Sequence, residues 1–488
     1  MRVIDSVIAQ LAPTWALNRE RSRRALDIVR GYDAAQVGRR TANWRAPSGS
    51  ANNEIVAGLA TIRNRSRELV RNNPYAKRAI NALVAKSVGV GIVARLEKSV
   101  QKPFKIWSEG CDFDGFFDYY GVQSLAARTA YESGEVVVRR VEKAGFGVQL
   151  QVLEPEYIDT SRFGPTSEGN FMIAGVEVNP AGQRVALWLF DKHPGEIAYI
   201  TSNRQSKRVP WSDLIHFFER ERPGQLRGVP RLAVAMMKAR DLDEADDAEL
   251  ITKKIQACFS AFVSGGSGKA LGELATNPVS KQREETLAPG LIQYLDAGET
   301  VSFGSPHVVS DAEFHKRNLR AIAVGAGVTY EMLTGDLSNV NYSSIRAGML
   351  DFRELVDVWR WIHFIPQVCT RTYRWFEDSA WAAFKIRSTG YAIDWTPPQW
   401  PMLDAGKENA SDRDEVLSGF SSVSEKIRAR GRQPAEVFAE IAADKAALEK
   451  LGIVVDSDAA TKLKLAEAKW KTEVPDEAPD TKAVATPP

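Results

Sequence analysis

Cysteine is nearly missing from this chain: Cys111, Cys258 and Cys369 are the only three in 488 residues, and no two form a CxxC pair. Such spacing fits buried thiols in a reducing compartment and excludes a zinc site built from clustered cysteines. Histidine is scarce as well. His193, His216, His307, His315 and His363 make no HExxH and no close pair, and His216 inside "LIHFF" reads as a strand residue. No uncharged apolar run approaches the roughly 18 residues that a membrane-spanning helix needs. The opening "MRVIDSVIAQLAPTWALNRERSRR" carries an acid at Asp5 and its arginines after the apolar stretch. It is expected to be neither signal peptide nor anchor, and the protein to be soluble and made in the cytosol.

Catalytic signatures are missing too. There is no G-x-S-x-G elbow. "GGSGKA" (Gly265, Gly266, Ser267, Gly268 and Lys269, then Ala270) fails as a phosphate loop, because the first glycine should fall at Val263 and no Ser or Thr follows the lysine to hold Mg²⁺. A flexible loop is the expectation there. No catalytic residue, metal or cofactor is expected.

Net charge is only +2, so the molecule as a whole is not an electrostatic trap for nucleic acid. Its distribution is uneven. Residues 1–80 hold fifteen Arg and Lys against six Asp and Glu, whereas residues 400–488 hold thirteen against seventeen. Basic clusters such as "RERSRR", "RRTANWR" and "RNRSRELVRNNPYAKR" match no zinc-finger, RNA-recognition or basic-zipper pattern.

What is present is a succession of long helical and short strand patterns. Apolar residues make up 44% of the chain, enough for two to four domains with real cores. "NEIVAGLATIRNRSRELVRNNPYAKRAINALVAKSVG" sets Ile55, Leu59, Ile62 and Leu69 on one side, and the Gly89–Val90–Gly91 step ends the helical stretch. An antiparallel meander is expected next, with hairpins turning at 143–147 and 179–182 and a further strand from "RVPWSDLIHFFE". After Pro230 comes a run of about 32 residues without Gly or Pro, a helix of about 45 Å. Its stripe passes through Met236, Ala239, Leu242, Ala245, Ala248, Ile251, Ile255 and Phe259, and the alanines would let another helix approach closely. The acidic run in it sets Asp243 and Asp247 one turn apart, a pairing that could bind a divalent cation but has no further ligands nearby in sequence. A Gly/Ser/Pro-rich segment with a small β unit follows. Two helices then flank "GDLSNVNYSSIRAGML", short helices follow the prolines at 397, 398 and 401, and "KTEVPDEAPDTKAVATPP" reads as disordered. The fold class is therefore α+β, mainly α.

In several stretches, kept in order over most of the chain, the sequence resembles the lambda-type portal proteins of tailed double-stranded DNA phages. They are "RNNPYAKRAINALVAKSVGVGI" (71–92), "QLRGVPRLAVAMMKARDLDEADDAELITKKIQACFSAF" (225–262), "LAPGLIQYLDAGETVSF" (287–303), "IAVGAGVTYEMLTGDLSNVNYSSIRAGML" (322–350) and "DWTPPQWPMLDAGKENAS" (394–411). The span from Val328 to Leu350 is the most specific. Near residue 403 the family usually has Asp-Pro before the lysine, where this chain reads Leu403-Asp404-Ala405-Gly406-Lys407.

The resemblance implies a portal fold: wing 1–230, stem helix 231–260, clip 261–311, second stem helix 312–326, tunnel-loop region 327–346, a long helix returning to the wing over 347–399, a helical crown 400–470 and a disordered tail 471–488. It implies a ring of about twelve copies at one capsid vertex, first in the host cytoplasm during assembly and then in the virion. Double-stranded DNA passes through without sequence preference. The terminase large subunit docks first and head-completion or adaptor proteins follow, with major capsid and scaffold proteins around the ring and no membrane. It also implies that the chain is not an enzyme, which sets it apart from a packaging ATPase or nuclease. A small head–tail adaptor is the other alternative, for which the chain is long. The tunnel loop is expected at Asp336, Leu337, Ser338, Asn339, Val340, Asn341 and Tyr342, where Ser, Asn and Tyr would touch DNA through neutral, exchangeable contacts. Asp243, Asp246 and Asp247 are expected to give the stem an acidic lumen, and Gly265 to Lys269 to contact terminase or adaptor at the clip.

Overall fold

The structure, a computed structural model, describes residues 48–199, 205–257, 312–338, 340–385, 393–402 and 404–451, with short pieces at 14, 46, 261–264, 273–276, 283–286 and 300–303. The chain divides into two units, residues 1–57 and 58–488. In the first, Ser50 precedes helix α1 (Ala51–Asn72) and caps it, its Oγ accepting from Asn53 N at 3.2 Å and its carbonyl from Glu54 N at 3.1 Å.

In the second unit, Asn73 separates α1 from α2 (Pro74–Ser87). The Asn73 side chain accepts from Ala76 N at 2.9 Å, and Pro74 fills the first helical position, whose missing N–H would have no intrahelical partner. Strand β1 (Val93–Arg95), helix α3 (Lys98–Gly110) and helix α4 (Tyr119–Ser133) follow. Trp107 on α3 is fully buried, donates Nε1–H to Val148 O at 2.7 Å, and packs with Phe104, Tyr119 and Phe376 at ring separations of 5.1–5.4 Å. Burying a side chain of this size stabilises by about 1.5–3 kcal/mol or more, so these rings anchor the larger core.

Gly134 ends α4 in a left-handed conformation (φ 89°), and a Cβ there would stand 2.4 Å from the Val229 carbonyl carbon. Only glycine allows the 229–230 backbone so close. Strands β2 (Glu135–Lys143) and β3 (Gly147–Leu153) form the first expected hairpin. Strands β4 (Gly164–Pro165), β5 (Phe171–Ile173), β6 (Val176–Val178), β7 (Arg184–Phe190) and β8 (Ser206–Pro210) pair in chain order as a separate antiparallel sheet. Strand β9 (Leu214–Phe218) leaves that sheet and pairs with β2. The "RVPWSDLIHFFE" stretch is thus two strands in two sheets, β8 and β9, joined by the short turn Trp211–Asp213. One further hairpin, β5–β6, turns at Ala174 (φ 48°) and Gly175 (φ 82°) and has no Asn-Gly or Asp-Gly signature. A small apolar core including Val137, Leu153, Val176, Leu187, Leu189 and Leu214 joins the two sheets.

Residues 231–235 form tight turns, with Ala233 N on Pro230 O at 3.0 Å, and helix α5 begins only at Met236, running to Ala257. The regular helix thus starts five residues later than expected. Of its stripe, Met236, Ala239 and Leu242 are buried, whereas Ala248 and Ile251 are exposed. Most of residues 261–311, expected to form the clip, lies outside the described residues. What is described there is two antiparallel pairs: β10 (Ala261–Ser264) with β13 (Thr300–Phe303), and β11 (Glu273–Thr276) with β12 (Arg283–Thr286).

Helix α6 (Ala312–Ala326) packs antiparallel to α5, and the short helix α7 (Tyr330–Thr334) follows. Helix α8 (Tyr342–Val358) then continues through a π-helical segment (Trp359–Cys369) into α9 (Thr370–Phe384). Pro366 lies inside the π segment, where its missing N–H spares no regular α hydrogen bond. Strand β14 (Asp394–Thr396) pairs with β1. Helices α10 (Ala405–Leu417), α11 (Val423–Ala429) and α12 (Pro434–Leu451) complete the described chain. The tail expected to be disordered lies outside the described residues.

Candidate channel loop and stem pair

Gly335 closes α7 with φ 76° and donates its N–H to Glu331 O at 2.8 Å. The loop that follows is shorter than the sequence suggests. Asn341 is the cap of α8, its Oδ1 accepting from Ser344 N and Ser344 Oγ, both at 2.8 Å. Residues 342–346 are therefore the first turn of a helix and not loop. Ser, Asn and Gly favour both loops and helix starts, which is why composition alone overextended the loop.

Within the remaining stretch, Asp336 Oδ1 accepts from Ser338 Oγ at 2.6 Å and Ser338 N at 3.0 Å, and its Oδ2 from Tyr330 OH at 3.3 Å. The Ser338 hydroxyl is the main reason the Asp336 carboxyl sits below its ordinary range. Ser338 is thus engaged within the loop. Leu337 is 62% exposed and uncharged. Arg78 on α2 donates Nε–H to Met332 O at 2.7 Å, tying the loop's base to the helical core. Asn339 and the side chain of Tyr342 lie outside the described residues, and Val340 is half-buried.

The three aspartates expected to line the stem differ in placement. Asp243 accepts from Asn73 Nδ2 at 2.8 and 3.0 Å, and Asp246 pairs with His315 Nδ1 at 3.0 Å, whose Nε2 reaches Glu249 at 3.1 Å. Asp247 is exposed. Two of the three are therefore tied to partners in their own chain. Gly265, Gly266, Ser267, Gly268 and Lys269 lie outside the described residues.

No sequence pattern marked the buried ionic cluster that forms just before α5. Glu135 on β2 receives Arg227 Nε at 3.0 Å on each oxygen, a further Nη2 contact, Gly228 N at 2.9 Å and His216 Nε2 at 2.9 Å. Burial alone would raise the Glu135 carboxyl, but Arg227 and His216 outweigh it and hold it well below the usual carboxylate range. Burial lowers the His216 ring, with Glu135 opposing. Arg63 and Arg67 reach Glu156 at 2.7 and 2.6 Å, and Glu154, Glu156 and His193 gather beside them. Those guanidinium groups pair directly with the Glu156 carboxylate. No helix among the described residues is long and apolar enough to cross a membrane.

The family model for phage portal proteins of the lambda family matches residues 37–360. The probable portal protein of Halomonas phage phiHAP-1 is 26% identical over 473 residues, covering 88% of this chain and 89% of that protein. Portal protein B of Escherichia phage lambda is 22% identical over 469 residues, covering 82% and 86% respectively. Among solved structures, the neck of an empty gene transfer agent particle aligns with 79% of this chain and 95% of its own, at 17% identity and a TM-score of 0.43.

Proposed function

This chain belongs to the lambda family of phage portal proteins, and from that membership we propose that it forms the ring-shaped channel at one capsid vertex through which genomic double-stranded DNA is packaged and ejected. The match of the family model over residues 37–360 carries this reading. The ring is a homo-oligomer of about twelve copies, in keeping with the family. The terminase large subunit docks on it first, head-completion or adaptor proteins follow, and capsid and scaffold proteins surround it. It assembles in the host cytoplasm and ends in the virion. We assign the chain no chemical step, leaving ATP hydrolysis to the terminase.

We divide the chain as wing 1–230, stem helices 231–260 and 312–326, clip 261–311, tunnel-loop region 327–346, long helix and wing return 347–399, crown 400–470 and tail 471–488. The stretch from Asp336 to Tyr342, a loop as far as the Asn341 cap and helix from Tyr342, faces DNA that carries one negative charge per roughly 1.7 Å of axis. A side chain that offered charge there would hold phosphate; Leu337 and Ser338 do not. The loop steers the duplex without gripping it. Procapsids assembled with and without this chain test the role: only those containing it should protect DNA from nuclease, and equal protection without it contradicts the reading.

A further inference from the structure

We propose that neighbouring copies lock head to tail through the stem pair, the acidic outer face of α5 in one copy seating against the basic outer face of α6 in the next; this rests on the ring reading above. On α5, Met237, Asp241, Glu244, Ala248 and Ile251 recur at steps of four and three residues, so they share one face. That face lies opposite the buried Met236, Ala239 and Leu242, and Met237 and Ile251 on it are 63% and 56% exposed. On α6, Phe314, Arg317, Ala321 and Val324 recur in the same way, with Arg320 beside them, opposite the buried Leu319, Ile322, Ala323 and Ala326. Phe314 is 42% and Val324 80% exposed. Each face therefore carries apolar ends, charged residues between them and one alanine that lets a helix approach closely.

The two faces point away from each other. The helices pack through their other sides where His315 reaches Asp246 and Glu249; at the opposite end α6 meets the turn before α5, where a Cβ on Gly325 would lie 3.1 Å from Ala235 Cβ. A contact between unlike faces of identical chains is heterologous and closes into a ring when its rotation allows. Cyclic symmetry keeps every copy at the same height. The antiparallel register runs from 235 beside 325 to 246–249 beside 315, so Asp241 and Glu244 fall level with Arg320 and Arg317.

The charges are opposite at both levels. Asp241 and Arg317 are exposed and make no ion pair among the described residues. Among the described residues Glu244 pairs with Arg240 of its own helix alone, at 3.0 Å with both side chains mostly exposed, a surface pair that exchanges readily. Arg320 lies over the Tyr330 ring at 5.6 Å, leaving its N–H groups free to reach across. Complementary charge of this kind fixes register and rejects wrong pairings.

The test uses two full-length variants, Asp241→Lys with Glu244→Lys, and Arg317→Glu with Arg320→Glu, followed by sedimentation. Each variant alone should need about tenfold more protein than the unaltered chain to form rings, because like charges then meet at every contact. Mixed in equal amounts they should form rings again, since each variant's altered face meets its opposite on the other. Misfolded chains cannot be rescued in this way. Rings from either variant at the unaltered concentration, or no recovery on mixing, overturns the proposal while leaving the ring reading intact. No ring from the unaltered chain overturns both.

Discussion

Arg227 lays its guanidinium along Glu135 with Nε 3.0 Å from each carboxylate oxygen, and neither side chain reaches solvent. The pair bridges strand β2 and the segment that turns into the stem. Breaking a buried pair by removing one partner leaves an uncompensated charge and costs about 3–5 kcal/mol. Arg227→Ala should therefore lower unfolding stability by about that amount in a denaturant titration. A loss under 1 kcal/mol would contradict this account of the cluster.

Acid should weaken the same cluster in two stages. His216 titrates below its ordinary 6.5 in the folded chain, so its contribution is complete above pH 6.5 and declines as pH falls past it. Glu135 titrates below its ordinary 4.5, so its contribution holds above that value and is lost on further acidification. Melting temperature measured from pH 8 to pH 3 should fall monotonically below about pH 6.5. His216→Gln should flatten the upper part of that decline.

At the loop, Asn341→Ala removes the acceptor that satisfies Ser344 N and should cost about 1 kcal/mol. Asn341→Asp should keep the cap and recover that loss, as read by thermal melts of both variants.

A lysine at the exposed Leu337 offers each copy a charged donor for phosphate, worth about 1.5–3 kcal/mol per contact. DNA translocation in a reconstituted packaging motor should slow in Leu337→Lys, while Leu337→Gln should run near the unaltered rate. Equal rates for both would show that this loop does not meet DNA.

Helices and hairpins were readable wherever local chemistry spoke with one voice. The 143–147 turn, for example, follows from its glycines and the strand patterns on either side. Ala174 gave no warning of its turn, because alanine does not favour a left-handed backbone; it is held there fully buried, its carbonyl accepting from Arg227 Nη1 at 2.9 Å. Nor did the sequence mark Glu135, His216 and Arg227 as neighbours: they lie up to 92 residues apart and meet only once β2, β9 and the turn before the stem are assembled. The tunnel loop's ambiguity was of another kind. Asn341 and Ser344 carry the same side chains in a loop as at a helix start, and only the hydrogen bonds distinguish the two.

Electron-microscope images of the purified full-length chain test the central claim most directly. The account predicts closed rings of about a dozen copies around a central hole, as its portal family implies. Uniform small particles without a hole, at concentrations where the chain is folded, would contradict it.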